Sequence, residues 1–142
     1  MYPILTDGSE GQKERWLPEV AAGRGIGCFG LTEPDAGTDI WDEEFLGRSA
    51  ARATATRTGG GWLLNGKKCF ISNGSVARYT VVLVALDRKD PAGTWTAFLV
   101  PTDAPGFSVG RVERKLGQKA SPTAEQLFDD VFVPEENMLG LP

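Results

Sequence analysis

Residues able to do chemistry are few in this chain, and they gather in two stretches. The first reads Cys28-Phe29-Gly30-Leu31-Thr32-Glu33-Pro34-Asp35-Ala36-Gly37-Thr38-Asp39. An apolar, strand-like run from Ile26 to Leu31 stops at Pro34, which cannot donate to a β ladder and biases Glu33 away from helix. Gly37 supplies a residue free to take positive φ, so the loop backbone can come close to a bound group. Successive N–H groups in such a turn, with the Thr32 and Thr38 hydroxyls, suit an anion or the acceptors of a heterocycle. The same residues also fit a plain strand-to-loop exit. Glu33 tempts as a base, but beside Pro34 at a strand end it reads as structural. The second stretch, Phe70-Ile71-Ser72, reads on its own as a buried strand with one hydroxyl.

Composition bounds what these stretches serve. A chain of 142 residues supports one domain with a core of its own. Hydrophobic residues at 41% and charged residues at 24% are ordinary globular values and argue against disorder. A net charge of −4 disfavours nucleic acid, whose phosphates want a basic face. There is no His, and Cys28 and Cys69 both sit inside apolar runs, so neither a transition-metal site nor a disulfide framework is expected. No apolar run approaches membrane-spanning length and no secretory leader is evident, so a soluble, cytoplasmic domain is the expectation.

The elements that must position the two stretches follow from periodicity. Ser9 and Gln12 make a capping box ahead of a helix carrying Trp16, Leu17 and Val20 on one face. Pro18 ends or kinks that helix, and Gly23 and Gly25 stop it. From Arg48 the period becomes two, with Ala51, Ala53 and Ala55 alternating against polar neighbours. Gly59-Gly60-Gly61 is a turn. Asn65-Gly66 between apolar residues predicts a type I′ hairpin turn. Strands are expected over 79–86, 94–100, 107–112 and 125–133. About seven strands without strand–helix alternation point to a mainly β fold, an antiparallel barrel or sandwich.

Five stretches in order carry a resemblance. They are Gly8-Ser9-Glu10…Trp16-Leu17-Pro18, Leu31-Thr32-Glu33-Pro34…Gly37-Thr38-Asp39, Leu64-Asn65-Gly66-Lys67…Phe70-Ile71-Ser72-Asn73-Gly74, Lys115-Leu116-Gly117…Ser121-Pro122-Thr123 and Phe128-Asp129-Asp130-Val131…Asn137-Met138-Leu139-Gly140. Together they resemble the middle β-barrel domain of the acyl-CoA dehydrogenase family, flavoenzymes that desaturate acyl-CoA thioesters. The resemblance implies an antiparallel barrel of about six to eight strands over 26–134, a helical lead-in over 1–25, and the start of a connection to a C-terminal helical domain over 135–142. The residues at 40–47 read as an insert, either a lid over a neighbouring site or an incidental loop.

The resemblance also implies a site. FAD would meet Leu31, Thr32 and Gly37 of the first loop and Phe70, Ile71 and Ser72 of the second. Thr38 would serve both FAD and acyl-CoA. Phe70 stands where many relatives carry Trp over the flavin ring, and Ser72 where a Thr hydroxyl points at flavin N5. Phe still stacks, with less area and no indole N–H; Ser still donates, without the β-branch that fixes its rotamer. Arg111, Arg114, Lys115 and Lys119 form either a solvated basic face or a contact for CoA phosphate. The family's base is a carboxylate from the C-terminal helical domain, so no catalytic residue is expected in this chain, which alone should be inactive. An electron-transfer flavoprotein or similar acceptor and a homo-oligomeric complete enzyme are implied partners. Two alternatives remain open on these residues: a flavin oxidase or monooxygenase of the same architecture, and a non-catalytic barrel acting as an interaction module.

Overall fold

The computed structural model describes residues 1–37, 39, 51–87, 89 and 94–140. The insert expected at 40–47 lies outside them. Two helices lead in, α1 over Tyr2–Asp7 and α2 over Glu10–Ala21. The capping box is present: the Gln12 N–H donates to Ser9 Oγ, and Gln12 Oε1 accepts from the Ser9 N–H. Pro18 does not end the helix. α2 runs through it to Ala21, and Gly23 at φ 69° follows the last turn.

Among the described residues eight strands follow: β1 (Gly27–Gly30), β2 (Thr54–Thr58), β3 (Gly61–Ser72), β4 (Tyr79–Ala85), β5 (Trp95–Pro101), β6 (Phe107–Val112), β7 (Thr123–Pro134) and β8 (Met138–Leu139). Seven lie in the order β6-β7-β3-β2-β4-β5-β8, and β1 pairs with β4 off this path. The architecture is mainly β, mostly antiparallel and barrel-like, as the sequence implies. It is not fully closed, because among the described residues no ladder joins β6 to β8. Two pairings are parallel, β1 with β4 and a single bridge of β2 with β4.

One face of the curled sheet encloses the main core, built from Ala53, Ala55, Trp62, Leu64, Val82, Val84, Phe98, Val100, Phe128, Val131 and Val133. The outer side of β4 and β5 is covered by the lead-in: Ile4 is fully buried with Tyr79, Val81, Leu99 and Leu139, and Trp16, Leu17 and Val20 pack against them. Gln12 fixes this cover by donating to the Glu136 and Met138 carbonyls, both at 2.8 Å.

The turn expected at Asn65-Gly66 does not form. Both residues lie inside the twelve-residue strand β3. The pairing of β3 with β7 shifts between Leu64 and Gly66, where Asn65 alone opposes Asp129 and Asp130, so β7 bulges and the dipeptide stays in strand rather than turning. Gly66 sits at φ 144°, and a Cβ there would meet Ala53 Cα and Cβ at 2.6 Å. The Asn65 side chain spans the irregularity, donating from Nδ2 to Asp130 Oδ1 and accepting the Asp130 N–H at Oδ1. A turn signal was thus spent on letting two strands bend past each other.

Two outcomes are expected from this packing. Gly66→Ala should cost about 1–3 kcal/mol in urea unfolding, whereas Gly59→Ala, with open space around it, should stay within about 0.5 kcal/mol; equal costs would contradict the close approach of Gly66 to Ala53. Burial, with a smaller contribution from Cys28, pushes the Tyr79 phenol up to about 12 from its ordinary 10. Between those values the unfolded chain releases a proton that the folded chain keeps, so stability is full below pH 10 and declines as pH rises toward 12. That loss should amount to about 2–3 kcal/mol and be absent in Tyr79→Phe; identical alkaline slopes in the two proteins would contradict it.

Candidate functional site

The first loop leaves β1 at Leu31. Glu33 and Ala36 close a tight turn, with the Glu33 N–H donating to the Ala36 carbonyl at 2.8 Å and the Ala36 N–H donating back at 3.3 Å. Pro34, at the first central position, presets the φ that such a turn needs. Gly37 does not use positive φ, contrary to the sequence reading, and its N–H donates to Asp39 Oδ1 at 2.6 Å. Its role is to close the loop on the Asp39 side chain. Thr38 lies outside the described residues.

The second loop is the end of β3. Lys68 pairs with Gln126 and Ile71 with Ala124, so Cys69 and Phe70 together oppose Glu125. At this bulge Phe70 adopts φ 58° and turns its ring outward, 60% exposed. A left-handed aromatic residue costs about 1–3 kcal/mol, and an exposed ring recovers little of that by burial. Ser72, two residues on, is also exposed, whereas Ile71 is buried with Cys28 and Ala77. The Ile71 side chain is therefore turned into the core, and only its backbone is left at this strand end. Beyond Ser72 the strand is locked by the Ser121-Pro122-Thr123 stretch: the Asn73 N–H donates to the Pro122 carbonyl and Ser121 Oγ donates to Asn73 Oδ1.

The two loops are tied together. The Cys69 N–H donates to the Thr32 carbonyl at 2.8 Å. Lys68, fully buried, donates from Nζ to Glu33 Oε1 at 2.7 Å and to the Leu31 carbonyl at 3.0 Å. Glu33, also buried, accepts from the Arg52 N–H at 2.5 Å and from the Ala53 N–H at 3.1 and 3.2 Å. Burial pushes the Lys68 ammonium down from its ordinary value, and the Glu33 carboxylate opposes that shift. Glu33 is thus structural, as read from the sequence. Lys68 was missed. Period two counted inward from buried Leu64 places Gly66 and Lys68 on the same face, which was the available signal.

The expected basic face is partly committed. Arg111 is ion-paired with Glu113 at 2.7 Å, and Lys115 Nζ donates to the Ser121 carbonyl. Arg114, Lys115 and Lys119 line an open groove of about 470 Å³ with Val112, Leu116 and Pro122. Among the described residues no group of His, Cys, Asp and Glu is placed to hold a metal ion, and no helix is long and apolar enough to cross a membrane. What the two loops do bring together is an outward aromatic ring, a hydroxyl on the same strand end and an adjoining backbone edge at Leu31–Thr32. Such a set fits a flat ring that carries acceptors along one side.

Residues 28–131 match the family model described as acyl-CoA dehydrogenase, middle domain. The chain belongs to the acyl-CoA dehydrogenase family. It is 43% identical over 140 residues to the short-chain specific acyl-CoA dehydrogenase, mitochondrial, of Rattus norvegicus, a match covering 99% of this chain and 32% of that protein. Among solved structures it is similar to butyryl-CoA dehydrogenase from Megasphaera elsdenii, with a TM-score of 0.87 and 39% identity over 99% of this chain and 35% of that one. A glutaryl-CoA dehydrogenase from Mycobacterium smegmatis, in complex with FADH2, gives a TM-score of 0.83 and 42% identity, covering 99% of this chain and 33% of the other. The chain spans about a third of the length of these relatives.

The buried pair makes a direct prediction. Lys68→Met alone leaves the Glu33 charge without its counterion and should cost about 3–5 kcal/mol in urea unfolding. Adding Glu33→Gln should recover a large part of that loss. A double variant whose cost equals the sum of the two single costs would contradict the coupling.

Proposed function

We propose that this chain is the flavin- and acyl-CoA-binding middle domain of an FAD-dependent acyl-CoA dehydrogenase, incomplete as a catalyst on its own. The observation that carries this reading is Phe70. A bulge, a left-handed backbone and an exposed ring make a costly arrangement that packing does not explain, at the position where the family resemblance puts an aromatic over the flavin. Leu31 and Thr32 offer backbone and hydroxyl to the pyrimidine edge of the ring system, and the Ser72 hydroxyl lies at the same strand end as Phe70.

When bound, FAD supplies the acceptor for the hydride lost from an acyl-CoA thioester. This chain's own residues bind and orient. Fixed N–H and O–H donors stabilise charge on the far edge of the ring system better than water can, because they need not reorganise. Thr38 would serve the cofactor and the acyl-CoA. The groove at Arg114 and Lys119 offers charge to a phosphate. Proton removal from the substrate falls to a carboxylate outside this chain, and an electron-transfer flavoprotein would act as acceptor for the complete enzyme. Buried, reduced Cys28 and Cys69 suit a cytoplasmic setting.

The test separates a functional ring from a packing one. Phe70→Gly removes the left-handed strain, so thermal stability should hold or rise, while FAD affinity should fall about tenfold, the worth of a lost aromatic stack. Titration of flavin fluorescence against the purified protein reads the affinity. A variant that loses stability and binds FAD as tightly as its parent would overturn the assignment.

A further inference from the structure

Lys68 does more than neutralise Glu33. Its Nζ lies 3.0 Å from the Leu31 carbonyl oxygen as well as 2.7 Å from Glu33 Oε1, with the Trp95 ring centre 5.7 Å away, and the side chain has no exposure to water. An ion pair kept for stability alone would be a poor choice, because apolar replacement of a buried pair is often neutral or stabilising. The second contact is the informative one. The Leu31 carbonyl and the Thr32 N–H belong to a single planar, resonance-coupled peptide unit. A cation on the oxygen draws electron density toward it and leaves the N–H a stronger donor, and because Lys68 is fully buried this polarisation is less screened than it would be at the surface.

We propose that Lys68 acts as a positioning residue that polarises the Leu31–Thr32 peptide, so that the Thr32 N–H becomes a stronger donor to the pyrimidine edge of a bound flavin and favours its reduced form. This rests on the flavin reading above. Glu33 holds the ammonium in place, and its own anchoring to the Arg52 and Ala53 N–H groups fixes where that ammonium sits. The Cys69 N–H on the Thr32 carbonyl polarises the following peptide and holds the loop at a constant distance.

The experiment is a reduction-potential measurement on the flavin-loaded holoprotein, comparing the parent, Lys68→Met/Glu33→Gln and Lys68→Arg. The neutral pair should hold flavin but favour its reduced form about tenfold less, a drop of about 30 mV for a two-electron couple. Lys68→Arg, which keeps the cation, should retain the parent potential. An unchanged potential in the neutral pair overturns the inference and leaves the flavin reading standing. A parent protein that takes up no flavin overturns both. If the variants do not fold, the parent itself decides: its Leu31 carbonyl carbon shift should move with the alkaline titration of Lys68, and a carbonyl that stays still overturns the inference.

Discussion

The structure depends on one buried contact, the bond from Lys68 on β3 to Glu33 beyond the end of β1. These strands are not neighbours in the sheet, since β1 pairs with β4 and β3 lies between β7 and β2. Without a tie, the loop after β1 would be fixed only at its root. With it, the Leu31–Glu33 backbone is held against Lys68 and Cys69, directly before the bulge that turns Phe70 outward. Desolvating two charges is expensive, and here each is met by further partners. Glu33 takes two backbone N–H groups, and Lys68 takes a carbonyl. The pair is satisfied, which is the condition under which a buried charge specifies rather than disrupts.

β structure supports this tie from both core faces. The inner core of Val, Leu and Phe fixes β3 and β4, and the lead-in helices cover the outer face through Ile4 and Trp16. The Ser121–Thr123 stretch then pins the turn after Ser72 through Asn73. Among the described residues, four other than glycine are left-handed, and two of them, Phe70 and Asn73, flank the end of β3. A site built this way can hold donors at fixed distances from a planar ligand without moving when the ligand's charge changes.

Much of the fold was legible in the sequence for physical reasons. The small apolar residues Ala53 and Ala55 alternating with polar neighbours, the apolar run at Tyr79–Ala85 and the Ser9–Gln12 capping box each carry a local signal that survives tertiary packing. Asn65-Gly66 carries a hairpin signal yet stays in strand, because β7 bulges opposite it at Asp129 and Asp130, and only the partner strand decides that. Pro18 signals an end or a kink, and packing of Trp16, Leu17 and Val20 against Tyr79, Val81 and Leu139 carries α2 past it to the stop at Gly23. Gly37 was given the wrong backbone role. Lys68 escaped because a lysine beside Lys67 reads as solvated surface. Its burial depends on Glu33, thirty-five residues away, and no local pattern encodes that pairing. Phe70's outward turn was likewise invisible, although the family resemblance singled out the residue.

The most direct measurement is a backbone amide shift map of the 15N-labelled protein titrated with FAD. The account predicts saturable changes at Thr32, Phe70 and Ser72, on loops from two strands that do not pair with each other. Changes confined to the groove at Val112 and Leu116, or scattered without saturation, would contradict the placement of the cofactor on the two tied loops.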